Sequence, residues 1–213
     1  LSSDFLRYET DIQAFAIEVL GLTKGLNPGQ LRFLRTMGER RDRWTPRWLT
    51  VFLASGNRAG KTLALAVFII HSCLFKTNLE STWEDHGPKA AERKAKAEYH
   101  AYHFGIAHEV ADLVYSEITR LLTGMHPGQL EGKTALPPDT ADWSSKEYGD
   151  YHWIKFINNS EVHFRTTSEK SLGQLGKDMH LITMDEAGLE ARLDFLIDEV
   201  FDFRRLGTGG QLA

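Results

Sequence analysis

The chain is nearly devoid of cysteine. One residue, Cys73, in 213 leaves no partner for a disulfide within the chain, which excludes a small secreted domain held by a disulfide framework. Cys73 sits in an apolar segment and is expected to be a small core residue. No signal peptide is visible at Leu1-Ser2-Ser3-Asp4-Phe5. Long hydrophobic runs are missing too. The longest, around Leu63 to Ile70, is too short to span a bilayer, so no membrane-spanning role is expected. There is no basic excess either: the formal charge is −4, so tight autonomous binding to nucleic acid is not expected of this stretch. The 42% hydrophobic and 25% charged content fits one ordinary globular domain, and 213 residues suffice for one sizeable core.

Against these absences stands one loop rich in small residues. Ser55-Gly56-Asn57-Arg58-Ala59-Gly60-Lys61-Thr62 follows an apolar run, Leu49 to Ala54, that reads as a buried strand. It precedes Leu63 to Phe75, which reads as a helix. A strand, a small-residue loop ending in Gly-Lys-Thr and a helix make the context of a P-loop. Backbone N–H groups of such a loop wrap phosphate oxygens, and the helix N-terminus adds its positive dipole end. Lys61 is placed to reach the β- and γ-phosphates of ATP, and the Thr62 hydroxyl to ligate Mg²⁺. Ser55 stands where the usual first glycine would, with Gly56 beside it to take an unusual φ.

Hydrolysis needs a second half. Leu181-Ile182-Thr183-Met184 is a short run of buried-strand type, and Asp185-Glu186 follows at its C-terminal end. Ligands of open α/β sheets sit outside the carboxyl ends of the strands. Asp185 is expected to hold Mg²⁺ through water, and Glu186 to orient and deprotonate the attacking water. The Asp-Glu pair favours an ATPase over a nucleotide kinase.

With these residues in view, the sequence resembles the N-terminal ATPase domain of the large terminase subunit of tailed double-stranded DNA bacteriophages. The resemblance covers most of the chain. It begins at Leu26-Asn27-Pro28-Gly29-Gln30-Leu31-Arg32-Phe33-Leu34, similar to an entry segment whose Gln reads adenine, and runs through the P-loop with its internal Arg58. Phe104 to Ala107 with the helix from His108, the hairpin from Ile154 to Phe164, and the Gly-containing loop Ser171 to Gly176 follow in the family's order. The resemblance implies a P-loop NTPase of the additional-strand class, α/β, with a mostly parallel central sheet flanked by helices. It implies one domain over residues 1–213: an N-terminal helical, adenine-side segment at 1–48 and a core at 49–213. ATP and Mg²⁺ are the implied cofactors, with Gln30 and residues Ser55 to Thr62 holding nucleotide. The implied partners are viral double-stranded DNA, a portal protein, a small terminase subunit and further copies in a ring, in the host cytoplasm. A ring can present one basic face while its subunit interfaces are acidic, which accommodates the charge of −4.

Two departures qualify the carry-over. The chain begins at Leu1 rather than Met and stops at Ala213, just where the next core strand is expected; the coupling strand and a nuclease domain are expected beyond it. Leu175 stands where some members place an arginine finger, ten residues before the acidic pair. Arg58 is a candidate to offset charge in cis, and Arg165, Arg192, Arg204 and Arg205 are candidates for a finger given to a neighbour. Two other classes stay open: a helicase-like P-loop ATPase, and a nucleotide-binding scaffold that does not hydrolyse.

Elsewhere, Asp4 to Leu22 shows a helical stripe, Pro28 suits a first helical turn, and Lys89 to Lys96 is helical by propensity. Gly124 to Asp150 reads as a long loop, Asn158-Asn159-Ser160 as a hairpin turn, and Leu189 to Phe203 as a helix. His100, His103 and His108 are not read as a metal set, because strand alternation sends His100 and His103 to opposite faces.

Overall fold

A computed structural model describes residues 3–24, 26–42, 44–48, 50–51, 60–80, 82–84, 86–129, 136, 143–148, 151–168, 178–205 and 208–213. The N-terminal stripe folds as short pieces rather than one helix: α1 (Ser3–Leu6), a 3-10 turn (Arg7–Glu9), α2 (Ile12–Ala14) and a π-turn (Phe15–Val19). The break falls at Asp11, whose carboxylate accepts from Ala14 N–H at 2.8 Å and starts a new helix. Phe5, Ile12, Phe15, Ala16, Val19 and Leu20 are nevertheless all buried. Phe5 stacks on Phe75 and Phe15 meets it edge-on.

Helix α3 (Pro28–Gly38) starts with Pro28 in its first turn and a complete capping box between Asn27 and Gln30. Helix α4 (Lys61–Phe75) is apolar on every side and buried from Leu63 onward, as a central helix must be. It ends at Lys76, whose φ of 48° is left-handed. The Lys76 ammonium then donates to the carbonyls of Lys94, Ala95 and Ala97, at 2.9, 3.0 and 2.7 Å. Those carbonyls close α5 (Pro88–Lys96), so one buried cation ties two helix ends together.

Among the described residues six strands form one sheet: β1 (Tyr99–Gly105), β2 (Trp143–Tyr148), β3 (Tyr151–Phe156), β4 (Ser160–Thr166), β5 (Leu181–Met184) and β6 (Gln211–Leu212). Their order is β2-β3-β4-β1-β5-β6. The four strands β4, β1, β5 and β6 run parallel, while β2 and β3 form an antiparallel meander leading into β4. Strands β1, β4 and β5 are buried along their whole length, as parallel strands covered on both faces should be. Tyr99, Ala101, Val162, Phe164 and Leu181 face α4 and helix α6 (His108–Thr123). Tyr102, Phe104, Ile182 and Met184 face a helical stretch at 193–205, where Phe201 lies 4.9 Å from the Phe104 ring. His103 packs under the first set, its Nδ1 2.9 Å from Thr183 Oγ1, on the face opposite His100.

The hairpin turn is where it was expected, with Asn159 at a φ of 64°. Two expectations need correction. Residues 143–148 are not loop but strand β2 at the sheet's edge. Polar composition misled there, since an edge strand pairs on one side only and carries polar residues readily. The strand expected to begin past the end of the chain has already begun: Gln211 and Leu212 pair in parallel with Leu181 and Ile182.

Candidate nucleotide site

The parallel strands decide which residues gather at one edge of the sheet. Thr50 bridges Leu212 in parallel, and Val51 N–H donates to Leu212 O at 3.0 Å. The strand entering the P-loop therefore lies beside β6, with β5 on the other side of β6. One strand sits between the P-loop strand and the acid-bearing strand, and all three point the same way. Helix α4 runs against the strands: Ser160 Oγ at the start of β4 donates to Cys73 O near the helix's end at 2.7 Å, so Gly60-Lys61-Thr62 at its beginning lie toward the carboxyl ends of the strands, where Asp185-Glu186 follow β5. Gly210 permits this packing, because a Cβ there would lie 2.6 Å from Met179 O.

Gly60 caps α4 in the left-handed region, φ 76° and ψ 28°. Lys61 and Thr62 are half-buried in the first turn of this fifteen-residue helix, where unsatisfied N–H groups favour an anion. Ser55, Gly56, Asn57, Arg58 and Ala59 lie outside the described residues, as do Leu175 and the rest of the Ser171 to Gly176 loop.

Gln30 is brought against the P-loop. It is buried, its amide oxygen accepts from Asn27 N–H at 2.7 Å, and its amide nitrogen donates to Gly60 O at 2.7 Å. One side chain thus completes the cap of α3 and holds Gly60, the residue that precedes α4. Pro28 in a first helical turn was legible in the sequence; the bond to Gly60, 30 residues away, was not.

Asp185 is buried, its N–H donating to Phe104 O at 3.2 Å, which seats it against the end of β1. Glu186 takes a φ of 56°, left-handed and costly for a residue with a Cβ, by about 1–3 kcal/mol. Its N–H turns back to donate to Asp185 Oδ1 at 2.9 Å. Backbone strain thus falls on the residue expected to activate water.

Sequence reasoning missed a network at the same edge. Thr167 N–H donates to Gly105 O at 3.1 Å, and its hydroxyl donates to Glu190. Arg192 donates to Thr167 O at 2.9 Å, and its N–H to Glu190 Oε1 at 3.0 Å. The Thr167 hydroxyl, then the Arg192 N–H and the guanidinium charge, hold the Glu190 carboxyl below its ordinary range. Nothing in Thr166-Thr167-Ser168 or Glu190-Ala191-Arg192 signals this pairing in one sequence. Of the finger candidates, Arg192 is engaged within its own chain and Arg165 is buried over the Tyr151 ring. Arg204 sits at the other end of β5, its carbonyl accepting from Met179 N–H.

No protein-family model matches this sequence, and no curated protein matches it significantly. Solved structures do. The large terminase of bacteriophage HK97 superposes with a TM-score of 0.63 at 16% identity, over 96% of this chain and 36% of that one. The large terminase ATPase domain of Thermus phage P74-26 superposes with a TM-score of 0.58 at 12% identity, over 92% of this chain and 65% of that one. A mutant of the same domain gives 0.55 at 13%, over 92% and 66%.

The chain has the terminase ATPase fold. At these identities the likeness concerns the fold, and the chain spans about two thirds of the P74-26 domain and about a third of the HK97 protein. Within that fold, the strand at Thr50 and Val51, β6, β5 and β1 lie side by side in that order and run parallel. No helix among the described residues is long and apolar enough to cross a membrane.

Proposed function

We propose that this chain is the ATPase domain of a phage-type large terminase and hydrolyses ATP to move double-stranded DNA into a procapsid. The reading is carried by one observation: Gly60-Lys61-Thr62 and Asp185-Glu186 emerge at one edge of parallel strands inside a fold shared with terminase ATPase domains. The P-loop from Ser55 to Ala59 would supply backbone N–H groups to the phosphates, and Lys61 would balance the charge on the β- and γ-oxygens. The residues fit Mg²⁺ as well, since a threonine hydroxyl at a helix start and a buried carboxylate are hard oxygen donors. Thr62 and Asp185 would hold the ion, which lowers the charge on the transferring phosphoryl group when bound. Glu186 would take the proton of the attacking water, and Arg58 would offset charge developing on the γ-phosphate. Gln30 would face adenine while bonded to Gly60, joining base recognition to the phosphate loop. Portal, small subunit and neighbouring copies are the proposed partners, in the host cytoplasm.

The test is steady-state ATP hydrolysis across protein concentration. Glu186→Ala is expected to lower turnover at least 100-fold while ATP still binds, and Lys61→Ala to abolish binding. Turnover that rises with concentration indicates a site completed by a neighbour. Full turnover in Glu186→Ala sinks the assignment.

A further inference from the structure

At the other end of the sheet, away from the P-loop edge, three side chains from two adjacent strands converge. His100 on β1 is in register with Glu161 on β4, and His163 follows two residues on, so all three share one face. Glu161 Oε2 lies 3.2 Å from His163 Nε2 and 3.8 Å from His100 Nδ1, and the three donor atoms all lie within 4.8 Å of one another. All three residues are buried. We propose that His100, Glu161 and His163 bind a divalent first-row transition-metal ion of the zinc class.

The donor set is two imidazoles and a carboxylate, the combination that such ions take in preference to Mg²⁺ or Ca²⁺. Tetrahedral ligands at about 2.1 Å from a metal stand about 3.4 Å apart, against 3.2 and 3.8 Å for the two pairs that Glu161 makes and at most 4.8 Å for the histidine pair. The surroundings are those that orient metal ligands. His100 uses its other nitrogen, Nε2, on Glu98 Oε2 at 3.2 Å, the carboxylate–histidine pairing that fixes a ligand's tautomer. With the N–H given to Glu98, the Nδ1 of a neutral His100 presents a lone pair toward the Glu161 oxygen. Glu161 Oε2 is hydrogen-bonded to His163 Nε2 at 3.2 Å and lies 3.8 Å from His100 Nδ1, so one carboxylate oxygen is shared by both imidazoles. Lys155 Nζ donates to Glu161 Oε1 at 3.1 Å and holds that carboxylate with Oε2 toward the histidines. The His163 ring is stacked on Tyr102 at 4.9 Å and on Trp153 at 6.0 Å, which sets its plane.

The site is not the ATP-linked Mg²⁺ site. His100 is five residues from Gly105 along β1, about 17 Å at strand rise. An ion here would pin β1 to β4 at the end of the sheet remote from the chemistry, leaving the catalytic edge to its own metal. His103 and His108, the other histidines nearby in sequence, take no part: His103 lies on the opposite face.

The experiment is titration of the chelator-stripped full chain with Co²⁺, followed by its visible d–d absorption, then displacement by Zn²⁺ in a calorimeter. One ion per chain with a Kd below about 1 μM is expected, together with a rise in melting temperature of about 5–10 °C at 100-fold excess over Kd. Glu161→Gln and His163→Gln are expected to weaken binding at least 100-fold; His103→Gln serves as a control that leaves it unchanged. Circular dichroism of each variant without metal checks folding. A wild-type chain that binds no Co²⁺ overturns the proposal, as does a folded Glu161→Gln variant that binds it as tightly as wild type. The first result would mean that His100 is an imidazolium held between Glu98 and Glu161.

Discussion

Replacing Gly60 by alanine tests how the N-terminal segment grips the phosphate loop. A Cβ at Gly60 would lie 2.3 Å from Gln30 Nε2, at a residue whose φ is 76°. Holding alanine in the left-handed region costs about 1 kcal/mol. Displacing the Gln30 amide forfeits its 2.7 Å bond to Gly60 O, about another 1 kcal/mol. Gln30 cannot swing aside freely, because Asn27 N–H holds its oxygen in the capping box. Gly60→Ala is therefore expected to destabilise the chain by roughly 2–3 kcal/mol, or about 4–12 °C in melting temperature for a domain of this size. Gln30→Ala loses both bonds of its amide, about 2 kcal/mol. In the double variant the clash has no partner, and the Gln30–Gly60 bond can be lost only once. The two single losses should then exceed the double loss by about 1 kcal/mol, beyond the 0.3–0.5 kcal/mol error of additivity. Urea unfolding of the four proteins without nucleotide gives the comparison, so that phosphate binding does not enter. Additive losses would falsify the claim that Gln30 and Gly60 act as one unit.

Two further predictions concern strain and protons. Glu186→Gly should raise stability by about 0.5–1 kcal/mol by relieving the left-handed φ of 56°, while Glu186→Ala should not; both should lose hydrolysis, and equal urea midpoints for the two would remove strain from the account. Burial holds His71 and His103 at about 3 and His180 at about 4, against an ordinary 6.5. The folded chain keeps them neutral while the unfolded chain protonates them, so their stability is complete above about pH 6.5 and is lost as pH falls toward 4, by about 1.4 kcal/mol per pH unit for each. His71→Gln, which can still donate to Tyr8 O, should flatten the slope between pH 5.5 and 4.5 by one proton, and an unchanged slope there would count against burial as the cause.

The parts legible in the sequence are those that depend on local pattern. Helix α4 announces itself by an unbroken apolar run after Gly-Lys-Thr, and β5 by a short, mostly apolar run followed by Asp185-Glu186. The start of α3 follows from Pro28, which suits a first helical turn. What was not legible depends on partners distant in the chain. Strand β6 is two residues long and carries no pattern of its own; it is a strand because Leu181, Ile182 and Thr50 stand on either side of it. Strand β2 is polar and becomes a strand only by pairing with β3. Strand alternation correctly separated His100 from His103, yet it could not place Glu161 and His163 beside His100, since the β1–β4 register is not written in either strand. The Thr167, Glu190 and Arg192 network was hidden for the same reason.

The position of β6 also bears on how the protein is made. Gln211 Nε2 donates to Trp48 O across 163 residues, and Leu212 is the residue that Thr50 bridges. A ribosome adds about 5–20 residues per second, so the strand entering the phosphate loop waits about 8–30 s for its neighbour. Helices α4 and α6 and the β3–β4 hairpin can all pack in that interval from nearer contacts. Joining the strand at Thr50 to β5 through β6 is then expected late in folding, because it closes a loop of 163 residues. A nascent chain is therefore expected to bury much of its core before the strand at Thr50 gains its neighbour, and the proposed nucleotide site to be completed last.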